Sequence, residues 1–126
     1  SLALVDIDNF KTINDTWGHL NGDIVLRNVA REGLQILQPL QISLYRYGGE
    51  EFAAIFTTGH SDDALMLLES WRARVAQRSW REEGLTVTFS AGLGEWNMEP
   101  LEQLVVRVDE ALYKAKQQGK NRIVRA

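Results

Sequence analysis

Two β-forming runs, Ile42–Tyr47 and Phe52–Phe56, flank Gly48-Gly49-Glu50-Glu51. Apolar-aromatic runs joined by a glycine turn fold as a β-hairpin. An isolated hairpin is marginal in water, so further strands must join it. Ser1–Ile7 ("SLALVDI") reads as a buried strand. Leu85–Trp96 reads as another, with alternation at Leu85, Val87 and Phe89, and "NRIVR" near the end as a short last one. Helical spacing covers Asp23–Gln38, through Ile24, Val25, Val29, Leu34 and Leu37, and Pro39 ends it. Ser61 caps a second helix that runs to about Trp80, with Leu65, Leu68, Trp71 and Val75 on one face and Asp62-Asp63 in its first turn. Pro100 opens a third, which runs to about Gln118 and ends at Gly119. The polar stretch Asp8–Asp23, punctuated by Gly18 and Gly22, predicts a short helix and then a loop. The order β-α-β-β-α-β-α-β places the chain in the α+β class. It predicts a mostly antiparallel sheet with helices on one face and a central hairpin.

The 126 residues fit one domain, and 44% apolar residues are enough for a core. A net charge of −3 supplies no overall basic field, so no nucleic-acid partner is expected. Cysteine is absent, which excludes disulfides, thiolate metal sites and a thiol nucleophile. No apolar run approaches the ~18 residues of a membrane span, and nothing resembles a signal peptide. A chain that opens on Ser1 already inside a strand is expected to be part of a longer protein. The expected location is the cytoplasm, with any membrane tether in a region preceding this chain.

The two acids at the exit of the turn stand where a sheet prefers Thr or Tyr. A second acidic pair, Asp6 and Asp8, closes the first strand. Side chains two apart on a strand share a face. If that strand lies beside the hairpin, Asp6 and Glu50 converge at one end of the sheet. Convergent carboxylates repel unless a cation sits between them. Oxygen ligands with open positions suit Mg²⁺ completed by substrate phosphates. The plainer alternative is four unrelated solvated acids at strand ends.

Other residues carry two readings each. Lys11 sits at a helix start, where backbone N–H groups favour phosphate, and its charge could follow phosphoryl transfer; alone it is a surface lysine. Asn14 and Asp23 match the donors and acceptor of a guanine edge, or are ordinary helix-terminal polar residues. Lys116 and Lys120 flank a helix C-terminus, where cations favour the helix dipole in any case. His19 and His60 have no partner at metal spacing. Trp71 and Trp80 follow helical spacing and read as core or edge residues.

"RYGGEEF" together with "VDIDNFKTINDTWGHLNGD" resembles the GGDEF-domain diguanylate cyclases in their GGEEF variant, and "FSAGLG" and "VDEALYKAKQQGKNR" match the family's later blocks in order. The resemblance covers essentially all of residues 1–126. It implies a ferredoxin-like palm of the nucleotidyl cyclase type, with helices packed around a central, mostly antiparallel sheet. It implies condensation of two GTP into cyclic di-GMP with release of two pyrophosphates, in bacterial signalling. The alternative within the same fold is a catalytically silent module that binds GTP or cyclic di-GMP and regulates a fused domain. By position, the resemblance assigns metal ligation to Asp6, the Ile7 carbonyl and Glu50, with two Mg²⁺ or Mn²⁺ ions per site. Glu50 is also the implied acceptor of the 3′-hydroxyl proton, and Lys11 the lysine that stabilises the transition state. Substrate contacts fall on Phe10, Asn14, His19, Asp23, Gly49, Lys116 and Lys120. Glycine at the turn lets backbone approach nucleotide. Asp8 and Glu51 receive no assigned role. The implied partners are GTP, a second copy of the chain and a fused N-terminal sensory or regulatory domain.

Two departures stand out. Residues 1–126 begin at the family's first strand, so its first helix, with the "D-x-L-T-G-L-x-N-R-R" block, is not among them. The family's inhibitory product site, R-x-x-D, falls here on Pro39-Leu40-Gln41-Ile42.

Overall fold

A computed structural model describes residues 1–57 and 59–126. The elements are β1 (Leu2–Ile7), α1 (Phe10–Trp17), α2 (His19–Leu37), a 3₁₀ turn (Gln38–Leu40), β2 (Ser43–Arg46), β3 (Glu51–Ile55), α3 (Ser61–Gln77), β4 (Phe89–Gly94), α4 (Leu101–Gln117) and β5 (Ile123–Arg125). They build a five-stranded sheet of order β2-β3-β1-β4-β5. All pairs are antiparallel except β4 with β5. This is the expected α+β palm.

Two details differ from the pattern reading. The hairpin β2–β3 lies at one edge, and the central strand is β1. Helices cover both faces rather than one. Ala3, Val5, Ile7, Phe52, Ala54, Phe89, Ala91 and Leu93 face α2 and α3, while Leu4 and Ala53 meet Leu104, Val108 and Leu112 of α4 on the other face. A strand buried on both faces carries a continuous apolar run, which explains "LALV". The approach of α4 depends on Gly92, where a Cβ would stand 2.1 Å from the Val108 carbonyl oxygen.

On the opposite face Trp71 is fully buried. Its ring lies 4.8 Å from that of Phe89, and its Nε1 donates to the Val29 carbonyl at 2.9 Å. Gly33 makes room for it, since a Cβ there would come within 2.6 Å of the indole. Burying large apolar side chains of this kind stabilises by roughly 1.5–3 kcal/mol each. Trp80 lies beyond the end of α3, under the Arg78 guanidinium at 5.1 Å.

The region read as a loop is mostly helix: α2 begins at His19 rather than near Asp23. The N-cap of α3 is His60, one residue before Ser61, and its backbone N–H donates to Asp63 Oδ2 at 3.2 Å. Among the described residues no helix is long and apolar enough to cross a membrane.

Candidate active site

The register decides which acids meet. β1 pairs with β3 so that Asp6 stands opposite Glu51, and with β4 so that Asp6 stands opposite Ser90. Directly opposed residues share a face, so Glu51, not Glu50, is the cross-strand neighbour of Asp6. Glu50 is joined to β1 through its backbone instead: its carbonyl accepts the Ile7 N–H at 3.2 Å. The Glu51 carboxyl is pushed above the usual carboxylate range, first by partial burial and then by Asp6, Asp109 and Glu50 around it. A group raised by neighbouring negative charge is where a cation is favoured. Among the described residues no three acidic or imidazole side chains converge on one point. The residues that the motif blocks single out, Asp6, Glu50 and the Ile7 carbonyl, are oxygen donors, the type a divalent cation such as Mg²⁺ takes. That set leaves positions for water and phosphate, as Mg²⁺ prefers.

Lys116, in the last turn of α4, reaches into the same cluster. Its Nζ lies 3.1 Å from Asp6 Oδ1 and 2.9 Å from Asp8 Oδ1. Asp8 is buried, and burial pushes its carboxyl up. Hydrogen bonds from Ser90, Thr88 and Lys116 outweigh that and hold it below the usual range. Lys120 donates to Asn9 Oδ1 at 2.5 Å, which ties the α4–β5 loop to the N-terminus of α1.

The Gly-Gly turn is held from behind by Arg46. Its Nε donates to the Gly48 carbonyl at 3.2 Å and its Nη2 to the Gly49 carbonyl at 2.7 Å. Sequence reasoning placed Arg46 only as a strand residue; its position two before the glycines was the available signal. At Gly49 a Cβ would meet nothing within 4 Å, so this backbone is open to an approaching molecule.

A family profile described as "Diguanylate cyclase, GGDEF domain" matches residues 1–122. The chain belongs to the GGDEF family. It is 39% identical to Diguanylate cyclase A of Treponema denticola over 98% of this chain and 34% of that protein. It is 42% identical to Diguanylate cyclase DgcM of Escherichia coli over 100% of this chain and 30% of that one. The chain thus spans about a third of the length of these relatives. Among solved structures it is similar to the coiled coil and GGDEF domain of DgcB from Caulobacter crescentus in complex with c-di-GMP. That match has TM-score 0.92 and 36% identity, and covers 99% of this chain and 68% of that one. It is also similar to the active GGEEF domain of a diguanylate cyclase from Vibrio cholerae, with TM-score 0.91 and 34% identity, covering 98% and 80%.

The GGDEF fold thus gathers Asp6, Ile7, Glu50 and Lys116 at one end of the sheet, with Lys120 and half-buried Phe10 at the start of α1 beside them. Asn14 lies against α2 because Gly22 permits it: a Cβ at Gly22 would stand 1.8 Å from Asn14 Oδ1. Asp23 follows Gly22 directly on α2. Lys11, His19 and Asp23 are exposed.

Proposed function

We propose that this chain is the catalytic domain of a diguanylate cyclase and that two copies of it join two GTP into cyclic di-GMP. The observation that carries the reading is the junction of β1 with the Gly-Gly turn. There Asp6 stands opposite Glu51, the Glu50 carbonyl accepts the Ile7 N–H, and an open glycine backbone lies next to them. Asp6, the Ile7 carbonyl and Glu50 would hold the divalent cations. When bound, such cations polarise the α-phosphate, ease ionisation of the attacking hydroxyl and neutralise the departing pyrophosphate.

The residues of the chain then divide the work. Glu50 accepts the proton of the 3′-hydroxyl as its oxygen bonds to the α-phosphorus of the facing GTP, and the bond from that phosphorus to pyrophosphate breaks. Lys11 meets the charge that develops on the phosphoryl group. Asn14 and Asp23 read the guanine edge, with an amide serving its acceptor and a carboxylate its paired donors. His19 lies near the substrate. Phe10 and the amides of the first turn of α1 line the phosphate site, and Lys116 and Lys120 bring positive charge to it. Lysine at position 120 supplies charge without the fork geometry of arginine.

Glu50→Gln in the full-length parent tests this assignment. The amide keeps the size but loses the charge and basicity that both roles need. Turnover should fall ~10²-fold or more, while GTP affinity falls only a few-fold because base and phosphate contacts remain. A variant that keeps more than about a tenth of wild-type turnover would remove Glu50 from the chemistry.

A further inference from the structure

The two acids of "VDID" are built for different tasks, and only Asp6 is left available to a cation. Among the described residues Asp8 is the one carboxylate that is fully buried, at 3% exposure. Each of its oxygens takes two donors. Oδ1 accepts Ser90 Oγ at 2.6 Å and Lys116 Nζ at 2.9 Å. Oδ2 accepts Thr88 Oγ1 at 2.7 Å and the Asn121 backbone N–H at 3.0 Å. A carboxylate offers about four lone-pair sites, so Asp8 is saturated and has none to spare for a metal. Its donors come from β4, the segment just before it, α4 and the α4–β5 loop, which makes Asp8 the point where those pieces are fastened to β1.

The loop it fastens is costly to form. Gly119, Lys120 and Asn121 follow one another at φ 119°, 63° and 48°. Left-handed backbone is unfavourable for the two residues that carry side chains. Four contacts hold the loop there. The Lys120 N–H donates to the Ala115 carbonyl at 3.0 Å, the Asn121 N–H to Asp8, Arg72 Nη1 to Asn121 Oδ1 at 2.8 Å, and Lys120 Nζ to Asn9. Both basic side chains of the site therefore take their positions from one buried carboxylate, Lys116 directly and Lys120 through the loop.

We propose that Asp8 is a positioning residue, which fixes the Lys116 ammonium and the Lys120 loop so that both present preset charge to the nucleotide phosphates. The proposal rests on the nucleotide reading above. Groups that orient a functional side chain in this way commonly change ligand affinity when they are lost.

The sign of one measurement separates positioning from simple electrostatics. Asp8→Asn removes a negative charge close to a polyphosphate site. Charge alone then predicts tighter nucleotide binding, a purely structural role predicts unchanged affinity in the folded protein, and positioning predicts weaker binding. In the full-length parent, the affinity for a non-hydrolysable GTP analogue would be measured by calorimetry with Mg²⁺ for wild type, Asp8→Asn, the Lys116→Met/Lys120→Met pair and the triple variant. KM and kcat for GTP would be measured alongside. Positioning predicts about a tenfold or greater loss of affinity for Asp8→Asn, expressed mainly in KM, and a triple variant no worse than the Lys116→Met/Lys120→Met pair. Unchanged or tighter binding by folded Asp8→Asn overturns the proposal, as do losses that multiply in the triple variant. If Asp8→Asn does not fold, Ser90→Ala carries the same test, since it removes one donor and leaves the charge. A loss of affinity that vanishes in the Lys116→Met/Lys120→Met background is then expected, and unchanged affinity overturns the proposal. A wild-type parent that binds no GTP analogue would remove the nucleotide reading as well; one that binds it normally while Asp8→Asn and Ser90→Ala do likewise would remove this proposal alone.

Discussion

Gly22 shows how a missing side chain can make room for a neighbouring one. It lies inside α2, where alanine is intrinsically favoured over glycine by about 0.8–1 kcal/mol. A Cβ there would overlap Asn14 Oδ1 at 1.8 Å and Cγ at 2.9 Å. The obstacle is the tip of a flexible side chain, so Asn14 can rotate away and the helix can remain. Gly22→Ala should then leave the melting temperature within a few degrees of wild type, because the helix-propensity gain offsets the displaced rotamer. The preference for GTP over ATP should drop, because the amide proposed to read guanine has moved. Thermal shift, with GTP and ATP affinities measured on the same variant, checks both halves. A large fall in melting temperature with intact nucleotide preference would mean that Asn14 is a packing residue.

At the scale of elements, the end of the 3₁₀ turn Gln38–Leu40 and the two residues before β2 fall on the slots of the family's inhibitory product site. Pro39 is exposed in the turn, and Ile42 packs against the main core. Neither side chain donates or accepts a hydrogen bond, and no Arg or Asp lies between Glu32 and Tyr45. Cyclic di-GMP should therefore inhibit the parent only weakly and in competition with GTP. Initial rates titrated with product decide this: potent, non-competitive inhibition would place a product site elsewhere on the protein. Much at this scale could be read from the sequence. The hairpin, α3, α4 and the short last strand stand within a few residues of where pattern and capping put them. The start of α2 was hidden because Gly18 and Gly22 look like loop punctuation, whereas Gly22 is a helical glycine kept for close contact. The sheet order and the second helical layer were hidden because they depend on long-range pairing. The role of Asp8 was hidden for the same reason: its four donors lie at positions 88, 90, 116 and 121. By contrast the family's motif blocks single out Asp6, Glu50 and Lys116 directly, and the structure brings Lys116 to Asp6.

At the scale of the whole molecule, the proposed reaction, with one GTP per site and a two-fold symmetric product, requires two chains to face each other around an axis. In the proposed reaction each chain would supply one set of Asp6, Glu50 and Lys116, and neither set would complete it alone. The rate of a parent that works this way rises faster than linearly with enzyme concentration below its dimerisation constant. The most direct test is to incubate the full-length parent with GTP and Mg²⁺ over a dilution series and to follow cyclic di-GMP by mass. The account predicts cyclic di-GMP, with a rate per chain that falls as the protein is diluted. Absence of cyclic di-GMP at every concentration, or a constant rate per chain down to the fully monomeric range, would contradict it.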